Sequence, residues 1–317
     1  MFQFIVWLRA IAAIFITNSH YAGIWPISRM ALGGMIGNCL YFFVSGFCLY
    51  NIKEKFPKWY AKRIIRIYPS LWIASIGLFL VGSFSADSPI AFFYCLIYPT
   101  WYHFIASIMF LYIAFYLFIY CHKKWKIDIR MIMALVFLSF IVFYMTRFER
   151  NILQIEDVEQ RYVRFHFMEV MLMGAFFRER YETISKDNKV FLCLNAIVSF
   201  VVYSVCKVVI PRNESMFKYQ IIFPLIMIWM IWSIGLLFIK LEKTEWFKKV
   251  NPNICKVVTF IAYISLEIYL CQNVLITRNS FAFPISFIVV TGTIIFYAWI
   301  VHTLSLFVQK KIKKIIE

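Results

Sequence analysis

Charged residues are scarce in this chain. Asp, Glu, Lys and Arg together make up 15% of its 317 residues, whereas a soluble domain has about 25%. Hydrophobic residues make up 62%, which is more apolar surface than the core of a soluble protein can take up. The composition therefore excludes an ordinary soluble domain and indicates an integral membrane protein.

The chain also lacks the spacings of metal ligands. Its eight cysteines occur singly, without a CxxC pair or a Cys/His spacing suited to zinc. The sequence contains no internal repeat, no low-complexity tract and no long linker. We therefore expect no metal, and a single membrane domain over residues 1–317 without an appended soluble domain.

Apolar segments long enough, or nearly so, to cross a membrane recur along the chain. We identify ten of them, at 4–24, 31–50, 67–84, 102–121, 131–147, 163–178, 190–210, 219–239, 257–277 and 284–309. The apolar patch at 90–100 has prolines near its ends and is expected to be a short interfacial or re-entrant piece. The predicted fold class is an all-α, polytopic integral membrane protein with about ten transmembrane helices.

The distribution of basic residues predicts the orientation of these spans. If the N-terminus is cytoplasmic, the loops on that side carry 23 of the 33 Lys and Arg residues and the outer loops carry 9. This asymmetry follows the positive-inside rule and favours cytoplasmic N- and C-termini. The net charge of +17 is thus explained by topology, and we expect contact with membrane lipids and no nucleic-acid partner.

The first span carries Arg9 and His20 in an otherwise apolar run, and we expect it to be retained, not cleaved as a signal. Eleven residues separate the two, which returns to within roughly 20° of the same helix face and spans about 16 Å. A cation at mid-depth in a bilayer costs on the order of 2.5 kcal/mol or more, so such residues usually line a polar cavity. We interpret this face as one wall of a functional site.

Two further features each allow two interpretations. The pair Ser45-Gly46 in the second span is typical of close helix packing, or of a narrow passage for a ligand. Arg63 and Arg66 share one helix face at the cytoplasmic surface, where they suit phosphate groups or simply anionic lipid.

Other polar residues within or beside the spans are candidates for orienting a site or contacting a substrate. Trp101 is typical of an interfacial aromatic belt, and Tyr112 is either a core tyrosine or a site hydroxyl. Glu169 and Glu267 are carboxylates in apolar spans, and each needs a partner or must be protonated. Either could pair with the arginine or orient the histidine of the first span. His302 has no evident partner and is interpreted as a packing or interfacial residue.

Taken together, the motifs resemble the acyltransferase type 3 family, the bacterial integral-membrane O-acyltransferases that modify surface glycans. The residues that carry the resemblance are Arg9 and His20, Phe42 to Phe47, Arg63 to Pro69, Trp101-Tyr102 before a span containing Tyr112, and Ile264 to Leu270. One departure is that many relatives have a histidine after the last motif, where this chain has Cys271-Gln272. We assign that position no catalytic role.

The resemblance implies a multi-pass enzyme of the bacterial inner membrane. It would take an acyl group, commonly acetyl, from cytoplasmic acyl-coenzyme A and deliver it to a hydroxyl of a surface polysaccharide or lipid-linked glycan. His20 would be the general base or, alternatively, a transient acyl carrier. Arg9 would hold the donor or an organising carboxylate.

The remaining motif residues would contact the acyl donor. We expect Arg63 and Arg66 at the coenzyme A phosphates, Tyr68 among the donor-binding residues, and Ser45-Gly46 along the acyl-pantetheine chain. Two non-enzymatic alternatives remain, a glycan transporter or flippase and a subunit of a polysaccharide export machine. A transporter would be expected to show discontinuous helices or inverted repeats.

Overall fold

The computed structural model describes residues 2–80, 88–98, 102–184, 188–276 and 281–316. Within these ranges the chain forms twelve α-helices and no β-strand. The helices are α1 (Gln3–Ser19), α2 (Gly34–Leu49), α3 (Phe56–Leu80), α4 (Pro89–Ile97), α5 (His103–Trp125), α6 (Ile129–Thr146), α7 (Val163–Glu179), α8 (Lys189–Val209), α9 (Ile222–Lys243), α10 (Pro252–Tyr263), α11 (Ser265–Ile276) and α12 (Ile285–Ile316). The prediction of an all-α membrane fold is confirmed.

Each of the ten predicted spans falls on a helix, but not every helix is long enough to cross a bilayer by itself. Seven are long and apolar enough in the described residues, or eight if α10 and α11 form one bent span. Helix α1 has only 17 residues. The count of ten spans and the cytoplasmic termini therefore remain predictions.

Helix α3 begins well before the hydropathy pattern indicates. The predicted span begins at residue 67, but the helix runs from Phe56 to Leu80. Lys and Arg are good helix formers, and Trp59 is buried at 2% exposure, which ties the basic turns to the protein. The expectation was therefore wrong, and Pro69 lies inside the helix.

The predicted span at 257–277 is broken. Helices α10 and α11 meet at Ile264 with a bend of 59°. At the break, the Ser265 hydroxyl donates to the Ala262 carbonyl at 2.9 Å, so a side chain satisfies a backbone group that continuous helix would have paired. Hydropathy alone does not detect this bend, because both halves are apolar.

The patch predicted as a short interfacial or re-entrant piece is helix α4. Its nine residues are too few to span a bilayer, which needs about 20. The Ser88 hydroxyl accepts from the Ala91 amide at 3.1 Å, and Pro89 occupies the first turn, where its missing N–H costs nothing.

Residue contacts group the chain into two compact units. The first unit comprises Met1–Leu8, Asn38–Lys53 and Phe110–Asn251, and the second comprises Arg9–Gly37, Glu54–Met109 and Pro252–Glu317. Three of the five boundaries fall within helices, namely α1, α2 and α5. The single-domain prediction remains a prediction, and we describe each unit separately.

The first unit is built on a close crossing of α2 and α7. A Cβ atom on Gly46 would collide with the Met171 carbonyl oxygen, and one on Gly174 would collide with the Phe43 carbonyl oxygen. The rings of Phe42 and Phe167 stack beside this crossing, with centroids 4.4 Å apart. Small residues thus let the two backbones touch, as is common between membrane helices.

The second unit packs α3, α11 and α12 together. The Tyr297 hydroxyl of α12 donates to the Ala74 carbonyl of α3 at 3.1 Å, and Gly77 leaves room for that tyrosine. Ile264, Ile268 and the neighbouring residues of α12 form its buried apolar cluster. This packing positions the polar residues described next.

Candidate functional site

Arg9 lies in the second turn of α1 and belongs to the second unit. Its side chain is half-buried, and Nη2 donates to the Ser265 hydroxyl at 3.3 Å. Because Ser265 is the first residue of α11, this bond connects the arginine to the break between α10 and α11.

His20 follows the last residue of α1 and belongs to the same unit. Its backbone N–H donates to the Thr17 carbonyl at 3.1 Å, which extends the helix by a final turn. The side chain is exposed, and within the described ranges it makes no hydrogen bond or ion pair. Its ring nitrogens are therefore open to a ligand.

The turn that carries His20 is fixed by Asn18. The Asn18 amide donates to the carbonyls of Met30 at 2.8 Å and Leu32 at 2.9 Å. Its Oδ1 accepts from the Trp25 indole at 2.9 Å. The side chain thus ties the end of α1 to the following loop, which holds the position of the histidine.

Gln272 contacts α1 one turn before His20. The Thr17 hydroxyl donates to Gln272 Oε1 at 2.7 Å. Gln272 is 1% exposed, and its Nε2 has no hydrogen-bond partner among the described atoms. No pattern in the sequence connects this residue with α1, because only the tertiary packing brings the two together.

The carboxylate of Glu267 joins three helices of the second unit. Ser70 Oγ of α3 donates to Oε1 at 2.7 Å, and His302 Nδ1 of α12 lies 3.1 Å from the same oxygen. Glu267 is 3% exposed and Ser70 is fully buried. A buried acid in a membrane helix requires such partners.

The expectation that His302 has no partner is wrong, although its ring packs against the protein as expected. Besides its contact with Glu267, its ring packs against Tyr263 with centroids 4.4 Å apart. No spacing rule links residues on α11 and α12, so the sequence could not reveal this pair. That Glu267 or Glu169 pairs with Arg9 or orients His20 stays a prediction.

The predicted donor-binding residues Arg63, Arg66 and Tyr68 all lie on α3 in the second unit. Arg63 Nη1 donates to the Trp59 carbonyl at 2.8 Å, and its guanidinium lies 4.2 Å from the Trp59 ring centroid. Arg66 is exposed. The Tyr68 hydroxyl donates to the Ile97 carbonyl of α4 at 2.8 Å, so this tyrosine also holds α4 against α3.

Ser45 and Gly46 lie in the first unit. Ser45 is partly exposed, whereas Gly46 is buried against α7. Helix packing alone accounts for the glycine, and a role beside the acyl chain stays a prediction.

Buried polar residues of α7 form a separate group in the first unit. Cys39 Sγ lies 3.4 Å from His166 Nε2, and Glu169 follows one turn later on α7. Glu169 is 7% exposed, and its Oε2 has no hydrogen-bond partner among the described atoms. Tyr112 of α5 is also buried in this unit, at 7% exposure.

Trp101 lies outside the described residues. Among the residues that are described, no three His, Cys, Asp or Glu side chains come together as ligands for a metal ion.

The sequence was compared with known families, curated proteins and solved structures. A family model described as an acyltransferase domain matches residues 2–308, which is nearly the whole chain. No curated protein and no solved structure matches the sequence.

Proposed function

This chain belongs to the acyltransferase type 3 family, and we propose that it transfers an acyl group from cytoplasmic acyl-coenzyme A to a hydroxyl of a surface glycan. The family match over residues 2–308 is the observation that carries the proposal. The described chain is a multi-pass membrane protein. The bias of its basic residues supports cytoplasmic termini, and the resemblance to bacterial enzymes supports the bacterial inner membrane as its location. The acyl donor, commonly acetyl-coenzyme A in such enzymes, and the glycan acceptor, polymeric or lipid-linked, are part of the proposal.

In the proposed reaction His20 acts as the general base. Its imidazole accepts the hydroxyl proton as the acceptor oxygen attacks the thioester carbonyl carbon. The carbon–sulfur bond then breaks, and the coenzyme A thiolate takes a proton as it leaves. The exposed, unpartnered ring of His20 in the described chain supports this role, because a base must be free to reach its substrate. The alternative role is a transient acyl carrier.

Arg9 would supply positive charge to the site. Its guanidinium carries a fixed positive charge, and Nη2 contacts the Ser265 hydroxyl. A cation beside the thioester would stabilise the oxyanion of the tetrahedral intermediate. The half-buried position of Arg9 strengthens such an interaction, because the dielectric constant there is lower than in water.

Arg63, Arg66 and Tyr68 would bind the coenzyme A phosphates near the cytoplasmic end of α3. Stacking on Trp59 holds the Arg63 guanidinium in place, and an ordered guanidinium loses less entropy when it binds a phosphate. The acyl-pantetheine arm would pass near Ser45-Gly46. These assignments rest on the resemblance together with the helical positions of the residues.

The transporter alternative predicts one feature that the chain has, namely the broken helix pair α10–α11. Broken helices also occur in membrane proteins wherever irregular backbone lines a cavity, so the break does not identify a transporter. The family match favours the enzyme. Acyl transfer distinguishes the two functions directly, because neither a transporter nor an export subunit consumes acyl-coenzyme A.

The decisive experiment measures transfer of radiolabelled acetyl from acetyl-coenzyme A to glycan in membranes that contain the full chain. We expect label in the glycan with the wild type and with His122→Ala, a control histidine in the first unit that contacts Tyr50 and Glu179. His20→Ala should give no label at equal membrane abundance. Transfer that persists in His20→Ala would remove this histidine from the mechanism.

A further inference from the structure

A cavity of about 360 Å³ lies within the second unit, beside the end of α1. Its walls come from α1, the α10–α11 pair and α12. The apolar part of the lining includes Ala13, Ile14, Ile268, Ile294 and Ile295. Nothing in the proposed reaction so far uses this space.

The polar side chains that line the cavity are already hydrogen-bonded within the protein. Thr17 donates to Gln272 at 2.7 Å, and Tyr21 and Thr291 share a hydrogen bond of 2.8 Å. Asn18 is bonded through both its amide and its carbonyl oxygen. Because these groups are occupied, the cavity favours a hydrocarbon over a sugar or a charged group.

The cavity lies beside the chain segment that carries the proposed base. Thr17, Asn18 and Tyr21 line it, and they flank His20 on both sides along the chain. A thioester held at His20 would therefore have its acyl group next to the cavity.

The size of the cavity narrows the kind of hydrocarbon. A volume of about 360 Å³ lies at the lower end of the roughly 300–1,000 Å³ found for small-molecule sites. That suits one acyl chain and is small for a lipid with two tails. An acetyl group, with a single methyl, would leave most of the space unfilled.

We infer that this cavity is the acyl-chain subsite and that the enzyme accepts acyl groups longer than acetyl. The inference rests on the proposed transferase function and specifies its donor. Each methylene buried in such a site should raise kcat/KM about 4-fold. Butanoyl-coenzyme A, with two more methylenes, should therefore be about 15-fold better than acetyl-coenzyme A.

The test compares acetyl-, butanoyl-, hexanoyl- and octanoyl-coenzyme A as donors in membranes that contain the full chain. Ile295→Trp and Ala13→Leu place larger side chains in the cavity and should lower the ratio of hexanoyl to acetyl transfer at least 10-fold. Two variants are used because Ala13 is buried at 3% exposure and its enlargement could impair folding. Ile288→Trp is the matched control, since Ile288 lies on α12 at 67% exposure and should leave the ratio unchanged.

The outcomes separate this inference from the proposed function. The wild type could prefer acetyl-coenzyme A, with a ratio of hexanoyl to acetyl transfer that neither cavity variant changes. This result would overturn the acyl-chain subsite and leave the transferase function intact. No transfer from any of the four donors to the glycan would overturn both.

Discussion

The Nδ1 atom of His302 lies 3.1 Å from the Glu267 carboxylate, so a residue of α12 and a residue of α11 form a buried acid–histidine pair in the second unit. Two residues before Glu267, the Ser265 hydroxyl contacts Arg9. The acid–histidine pair therefore lies near the start of α11, where Ser265 contacts Arg9. We regard it as a structural support of the site.

Breaking this pair should be more harmful than replacing it. His302→Gln leaves a buried carboxylate with Ser70 as its partner and should cost on the order of 3 kcal/mol of stability. Glu267→Gln should cost less, because the amide oxygen can still accept from the Ser70 hydroxyl and no buried acid is left without its histidine. The double variant should be more stable than His302→Gln alone. Thermal unfolding in detergent measures all three.

The matched control is His122→Gln, in the first unit. His122 lies 3.4 Å from the Glu179 carboxylate, which is 27% exposed, so solvent screens that pair and its loss should cost less. The stability losses of the two single variants could simply add in the double variant. Such additivity would show that Glu267 and His302 do not stabilise each other.

Sequence reasoning predicted the helices better than the contacts. Hydropathy located each apolar segment because burial in lipid demands long apolar runs. It missed the start of α3, whose basic turns are helical although they are polar, and the break at Ile264, which separates two apolar halves. His302 and Gln272 were not identified because their partners lie on other helices, and periodicity along one helix gives no information on contacts between helices.

The proposed base predicts how transfer depends on pH. Only neutral His20 can accept a proton, and partial desolvation by the surrounding protein lowers the pKa of this imidazole below the ordinary value near 6.5. The base should therefore stay active down to that lowered pKa, and further acidification should reduce kcat/KM by about tenfold per pH unit. The kcat/KM for the acyl donor, measured with a saturating acceptor between pH 5 and 8, tests this prediction. A flat profile would argue against a histidine base.

The two arginines of α3 predict a defect in donor binding. Arg66→Ala removes an exposed guanidinium and should raise KM for acyl-coenzyme A about 10-fold, the value of one charge-assisted hydrogen bond, with little change in kcat. The effect should be larger at low salt, because screening weakens interactions between exposed charges.

Arg63→Ala should additionally destabilise the start of α3, since it loses the stacking on Trp59. Lys62→Ala is the control for both variants, because Lys62 lies on the same helix and pairs with Glu54. An equal rise in KM for Lys62→Ala would mean that the region attracts the donor through general positive charge and contains no specific phosphate site.

The crossing of α2 and α7 predicts a packing defect that is separate from catalysis. In Gly46→Ala the new methyl group would meet the Met171 carbonyl oxygen, and the two helices would have to move apart. Overpacking of this kind costs about 1–3 kcal/mol. Gly292→Ala is the control, since a methyl group there would have no atom within 4 Å. We expect a lower unfolding midpoint for Gly46→Ala alone.

Normal stability of Gly46→Ala combined with impaired acyl transfer would instead favour Ser45-Gly46 as the path of the acyl-pantetheine chain. The methyl group would then obstruct the ligand and not the packing of the helices.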